Sequence, residues 1–162
     1  DVSEYKVNLI EENRQRMHAK NLSIKVWDAT QKDEESVEKA DIVLADVPCS
    51  GLGVIGKKTD IKYRTDEDKI QELSVLQKQI LHNAASYVKP GGILIYSTCT
   101  ITSEENQSNV AWFTENYPFV LESLDPYLCE ELHSETTARG WLQLLPGVHK
   151  TDGFFLARMR KK

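Results

Sequence analysis

The chain is poor in the residues that staple small secreted domains or build zinc sites. It has three cysteines in 162 residues, an odd number with no Cys-x-x-Cys pair, which argues against a disulfide framework and against a structural metal. A reducing cytoplasm is the expected compartment. No stretch approaches the roughly 20 consecutive apolar residues that a membrane span needs, and the N-terminus does not read as a signal peptide. No membrane partner is therefore expected. The four histidines, at positions 18, 82, 133 and 149, are scattered, so neither metal ligation nor a papain-like Cys–His pair is indicated. An excess of basic charge is also missing. Lys and Arg number 20 against 25 Asp and Glu, a net charge of −5, whereas a free-standing nucleic-acid binder usually carries a basic balance.

What is present suits one globular domain spanning residues 1–162. Hydrophobic residues make up 40% and charged residues 28%, enough to build a core. Repeats and low-complexity segments are lacking. Residues 4–20 read as a helix with acids near its start and Arg14, Arg16, His18 and Lys20 near its end, as the macrodipole favours. Residues 23–27 form a candidate strand ending at Asp28, and 33–39 a short polar helix. Ile42-Val43-Leu44-Ala45 is apolar without alternation, as buried parallel strands are.

Gly51, Gly53 and Gly56 predict a flexible loop reaching Arg64. Thr65-Asp66-Glu67-Asp68 then starts a helix with a hydroxyl cap and acids in its first turn. Ile70, Leu73, Leu76, Ile80, Leu81, Ala84 and Val88 recur at helical spacing as its inward stripe. Pro90-Gly91-Gly92 ends it and leads into the strand Ile93-Leu94-Ile95-Tyr96. This triplet lies between a helix and a strand, so it is a helix stop and no phosphate loop. A further helix is predicted from Ser103 to Asn116, with Val110, Trp112 and Phe113 inward. A strand follows at 118–121, and 122–140 reads as a polar loop or lid. Residues 141–145 and 153–159 are predicted to close the sheet as an antiparallel pair. Strands alternating with helices mean an α/β domain.

Two short stretches read as one site. Asp46-Val47-Pro48-Cys49-Ser50-Gly51 follows the first apolar strand, and Ser97-Thr98-Cys99-Thr100 follows the second. If the helix between them is the crossover of a βαβ unit, the strands are parallel and both cysteines emerge at one sheet edge. Neighbouring strands lie about 4.8 Å apart, so two thiols can address one small ligand. The plainer reading of either cysteine alone is a small buried hydrophobe. Cys129, in the irregular segment, is taken as incidental. Asp28 and Asp46 also end strands, where acids contact ribose or base edges of a nucleotide; otherwise they are turn or cap residues. Lys57, Lys58, Lys62 and Arg64 form a basic cluster after the first cysteine loop, and Arg158, Arg160, Lys161 and Lys162 another at the chain's end. Either is a nucleic-acid contact or simply a solvated face.

These motifs resemble those of the RNA (cytosine-5)-methyltransferases, of the bacterial Sun/RsmB type acting on 16S ribosomal RNA. The resemblance extends through Asp60-Ile61-Lys62-Tyr63-Arg64, Gln77-Lys78-Gln79-Ile80-Leu81, Val88-Lys89-Pro90-Gly91-Gly92, Glu104-Glu105-Asn106 and Asp152-Gly153-Phe154-Phe155, in order along the chain. It implies a Rossmann-like class I S-adenosylmethionine-dependent methyltransferase fold. It also implies that Cys99 adds to C6 of cytosine so that C5 can attack the methyl donor, and that Cys49 assists product release. Asp46 would hydrogen-bond the N3/N4 edge of the base, and the Pro48 carbonyl would contact N4. For S-adenosyl-L-methionine the resemblance implies Asp28 at the adenine amine and Asp1 at the ribose hydroxyls, with Asp46 nearby. Lys57, Lys58, Lys62 and Arg64 would face the RNA, and the enzyme would act as a monomer.

The family's glycine-rich cofactor turn is not found in this sequence, and neither is its N-terminal RNA-binding domain. The first strand, first helix and most of the second strand would precede Asp1. The chain is thus expected to be the C-terminal portion of a methyltransferase catalytic domain, with weak cofactor binding. A catalytically silent RNA-binding or scaffold fragment is the competing expectation. A redox thiol pair is a third, made weak by the lack of Cys-x-x-Cys spacing.

Overall fold

The computed structural model describes residues 1–162 except Arg64, and nothing is described of the side chains of Thr59 and Lys62. Its centre is β2 (Val88–Thr98), which pairs in parallel with β1 (Ala40–Asp46) and antiparallel with β5 (Phe154–Lys161). Two short strands, β3 (Phe119–Leu121) and β4 (Trp141–Leu144), both run antiparallel along β5. The order is therefore β1-β2-β5-β3, with β4 beside β5. As predicted, a parallel pair is finished by an antiparallel edge, and residues 141–145 and 153–159 supply that closing hairpin.

The crossover from β1 to β2 is α2 (Glu67–Tyr87), capped by the Asp66 carboxylate, which accepts from the Lys69 N–H. Its inward face differs from the predicted stripe. Leu81 and Ala84 are buried, and so is Val88 just past its end, whereas Ile70, Leu73, Leu76 and Ile80 are only half-covered. Polar Ser74, Gln77 and Asn83 are buried instead. Apolar periodicity marks the side of a helix that faces protein, but it does not register a polar residue placed there to make hydrogen bonds.

β2 is covered on both faces: Leu94, Tyr96 and Thr98 on one are at zero exposure, and Ile93 and Ser97 on the other are buried too. Phe113 of α3 (Gln107–Asn116) stacks on Tyr117 and meets Phe119 at a tilt, and Phe155 meets Tyr96 edge-on. Pro90-Gly91-Gly92 is drawn into the start of β2, where the pairing with β1 slips between Ala40 and Ile42. Gly91 takes φ 75° there, a conformation glycine adopts without strain.

Several expectations change. Residues 23–27 form no strand; the Trp27 N–H instead donates to the Asp1 carbonyl at 3.0 Å. A strand exists only by pairing, and among the described residues none lies alongside to accept it. For the same reason β1 is an edge and is not buried as predicted: Ile42 and Leu44 are 63% and 66% exposed. α1 (Glu4–Arg16) stops short of Lys20 because Met17 caps it and His18 turns to φ 53°. The polar helix at 33–39 shrinks to one 3-10 turn, Glu34–Ser36. The predicted lid at 122–140 is a string of short turns ending in α4 (Glu135–Arg139), whose Ser134 forms a capping box. It is pinned, since the Leu124 N–H donates to the carbonyl of fully buried Thr137 at 2.8 Å.

Candidate active site

The parallel register sets Asp46 of β1 opposite Ser97 of β2, so the two chains leave the sheet at the same level. The Val47 N–H donates to the Ser97 carbonyl at 3.2 Å and extends the pairing by one step. Beyond it the two thiols meet, with Cys49 Sγ 3.1 Å from Cys99 Sγ. The Cys99 N–H also donates to Cys49 Sγ at 3.3 Å. Two thiols this close share one proton readily, and their titrations are linked. The hydrogen bond from Cys49 holds the Cys99 thiol down to about 7, aided by Lys58 and opposed by partial burial and by Asp46. Cys49 is pushed strongly upward by the same contact and by burial, so it keeps its proton. Asp46 is exposed beside the pair, and its Oδ1 accepts from the Ser97 hydroxyl at 2.9 Å.

A buried polar layer supports both loops. Glu105 has zero exposure. Its carboxylate accepts from the Ser50 N–H at 2.9 Å, the Ser50 hydroxyl at 2.5 Å, Gln77 Nε2 at 2.9 Å and the Thr102 hydroxyl at 2.9 Å. Gln77 Nε2 also donates to the Pro48 carbonyl at 3.0 Å. The oxygen expected to face a base is thus partly engaged from below. Beneath this layer the Tyr96 hydroxyl donates to the Glu105 carbonyl at 2.5 Å, and Asn109 Nδ2 donates to Gln77 Oε1 at 2.7 Å. Burial pushes the Tyr96 phenol upward, so it stays a donor. Asn106 accepts from the Thr98 hydroxyl at 2.6 Å and so braces the strand end before Cys99.

Two glycines let the loops touch. The Gly53 N–H donates to the Cys99 carbonyl at 3.0 Å, and its own carbonyl accepts from the Gly153 N–H at 2.8 Å. A Cβ at Gly53 would lie 2.3 Å from the Gly153 oxygen and 2.7 Å from the Cys99 oxygen. Lys57 Nζ pairs with Asp152 at 2.6 Å across the same junction. These contacts give Asp152-Gly153 a structural meaning.

On the other side of Asp46 opens a cleft of about 770 Å³, with Asp1, Trp27, Asp28, Val47 and Pro48 among its lining. All three acids named for the cofactor, Asp1, Asp28 and Asp46, border this one space. Asp28 Oδ1 accepts from both the N–H and the hydroxyl of Thr30, and among the described residues its Oδ2 has no hydrogen-bond partner. Lys57 and Lys58 lie exposed on the loop after Cys49. Arg64 and the side chain of Lys62 lie outside the described residues. Cys129 is exposed and free. Among the described residues no His, Cys, Asp and Glu grouping could hold a metal, and no helix is long and apolar enough to cross a membrane.

The roles of Gln77, Glu105, Asn106 and Gly53 are not evident from the sequence. Gln77 sits four residues from both Leu73 and Leu81, a polar residue inside an apolar stripe, and that interruption is the signal that marks it. Glu105 reads as an acid opening a helix, yet α3 begins only at Gln107.

The chain matches the family described as 16S rRNA methyltransferase RsmB/F over residues 1–160. It is 38% identical to the probable ribosomal RNA small subunit methyltransferase B of Bacillus subtilis, covering 100% of this chain and 37% of that protein. It is 32% identical to ribosomal RNA small subunit methyltransferase F of Escherichia coli, over 99% of this chain and 34% of that protein. It therefore spans little more than a third of the relatives it matches. Among solved structures, NSun6 from Pyrococcus horikoshii with SFG superposes with a TM-score of 0.79 at 27% identity, covering 99% of this chain and 40% of that one. The fold is the Rossmann-like methyltransferase fold, and the chain belongs to the RsmB/F family of 16S rRNA methyltransferases.

Proposed function

We propose that this protein methylates C5 of a cytosine in RNA, foremost 16S ribosomal RNA, through a covalent adduct with Cys99. The observation that carries the proposal is the 3.1 Å contact of Cys49 and Cys99 at the ends of two parallel strands, beside Asp46. C5 of cytosine is a poor nucleophile, and addition of a thiolate at C6 turns it into an enamine. Cys99 suits that step because it is the less buried thiol and ionises near neutral pH. Asp46 accepts from the N4 amine and steadies the charge that develops on the ring. Once C5 is substituted, a base removes its proton, the electron pair reforms the C5–C6 double bond, and Cys99 is expelled as thiolate; Cys49, in contact with Cys99, assists that release.

The acids around the cleft fit S-adenosyl-L-methionine, which supplies an electrophilic methyl group when bound. Asp28 would hold the adenine amine through its second oxygen, Asp1 would accept from the ribose hydroxyls, and Asp46 closes the end nearest the thiols. Lys57 and Lys58 offer charge to RNA phosphates at the rim. A silent scaffold gives no reason for a thiol held near 7 beside a protonated partner.

The test is a pair of variants of the full-length protein incubated with substrate RNA and cofactor. Cys49→Ala is expected to accumulate an RNA complex that survives denaturing electrophoresis, and Cys99→Ala to form none. The reverse pattern overturns the assignment of roles. No methyl transfer by the wild type overturns the activity.

A further inference from the structure

We infer that Glu105 is a positioning residue for the thiol pair: its carboxylate fixes the Cys49 loop so that Cys49 Sγ stays within hydrogen-bond reach of Cys99 Sγ. The catalytic consequence rests on the methyltransferase reading above, whereas the geometry does not. Glu105 contributes no atom to the open site. It is fully buried and accepts four hydrogen bonds, two of them from Ser50, the residue after Cys49. The third comes from Gln77, which also holds the Pro48 carbonyl, the residue before Cys49. The fourth comes from Thr102, on the segment that follows Cys99. The Ser50 hydroxyl further contacts Thr100 Oγ1 at 2.7 Å. One side chain therefore clamps both flanks of Cys49 to the chain just beyond Cys99, 50 residues away in sequence.

Its Oε1 accepts from two N–H donors, Ser50 N and Gln77 Nε2, and its Oε2 from two hydroxyls, those of Ser50 and Thr102, so one side chain must offer an acceptor on this face to satisfy donors that cannot rotate away. Leu at the position keeps the volume but offers no acceptor, leaving the buried Ser50 N–H and Gln77 N–H unpaired, which costs more than a lost surface contact. The loop would then relax and Cys49 would leave Cys99.

Two roles for Glu105 predict shifts of opposite sign in the ionisation of Cys99. The charged and titratable groups facing Cys99 are Cys49, Asp46 and Lys58, with Tyr96 and Glu105 beneath Cys49. If Glu105 acted only as a nearby negative charge, its removal would favour the thiolate and lower the midpoint. If it positions Cys49, its removal deprives the thiolate of its donor and raises the midpoint.

The experiment measures carbamidomethylation of Cys99 by iodoacetamide across pH, resolved peptide by peptide by mass spectrometry, in full-length wild type and Glu105→Leu. The expected midpoint is about 7 in the wild type and moves toward the ordinary thiol value of about 8.5 in the variant. With RNA and cofactor supplied, kcat should fall at least about tenfold while KM for RNA stays unchanged, since Glu105 meets no ligand. An unmoved or lowered midpoint in folded Glu105→Leu overturns the inference. If that variant does not fold, Ser50→Ala decides: it removes one donor and the Thr100 bridge, should shift the midpoint upward by a smaller amount, and overturns the inference if it does not. A wild type that shows the shifted thiol but methylates no RNA refutes the proposed activity and leaves the positioning role standing.

Discussion

Replacing Gly53 with alanine should separate the two loops that carry the thiols, and the cost can be worked from the contacts. The new methyl would stand 2.3 Å from the Gly153 carbonyl oxygen and 2.7 Å from that of Cys99, both backbone atoms that cannot swing aside. A carbon and a carbonyl oxygen ordinarily approach no closer than about 3.3 Å, so the loops must part by about 1 Å. The Gly53–Cys99 and Gly153–Gly53 hydrogen bonds, at 3.0 and 2.8 Å, then stretch beyond useful length. Losing two such bonds costs about 1 kcal/mol each, and residual overpacking adds about 1–3 kcal/mol, for a total of about 3–5 kcal/mol. In a domain of this size each kcal/mol moves the melting temperature by about 2–4 °C, so thermal unfolding followed by circular dichroism should fall by about 6 °C or more. Gly56→Ala is the control, because nothing lies within 4 Å of its Cβ position. It should stay within about 0.5 kcal/mol of wild type. Melting of the Gly53 variant within about 2 °C of the Gly56 variant would refute the close-approach reasoning.

Three further outcomes are expected. Cys49→Ala removes the donor to Cys99, so the pH at which Cys99 reaches half its maximal alkylation rate should rise from about 7 toward about 8.5; the thiolate population at neutral pH falls accordingly. Phe155→Ala empties a site of zero exposure between the rings of Tyr96 and Trp141 and should cost about 3–5 kcal/mol in urea unfolding. Lys57→Ala breaks an exposed ion pair with Asp152 and should leave stability within about 1 kcal/mol. If Lys57 meets a phosphate, the same change reduces the slope of log affinity against log salt by about one, and an unchanged slope removes it from the RNA interface.

Features set by local chemistry were legible in the sequence. The apolar runs at 42–45 and 93–96, the acid-rich start of α2 and the Pro-Gly-Gly stop together placed both cysteines at one sheet edge, and the structure brings their sulfurs to 3.1 Å. The closing β4–β5 hairpin was legible for the same reason. Features set by distant partners were not. Residues 23–27 carry strand-like composition, but composition cannot supply a neighbouring strand. Ile42 and Leu44 read as core and are exposed because burial depends on what covers β1. Gln77 and Glu105 read as ordinary helix residues, since a buried polar network is defined by groups that only the folded chain assembles. Gly53 belongs to the same class. Its need to be glycine arises from Gly153, a hundred positions further on, and nothing in its own loop announces it.

The parallel pairing of β1 with β2 has a consequence for when the chain becomes reactive. Its paired sulfurs are 50 residues apart in sequence and meet only after α2 has formed and folded back. Such long-range pairing is among the later events in folding. Until then each thiol ionises as a free cysteine does, at about 8.5, and is poorly nucleophilic in the cell. The thiolate fraction of Cys99 at neutral pH therefore rises as the two strands pair, and its alkylation rate doubles as a clock for native sheet assembly.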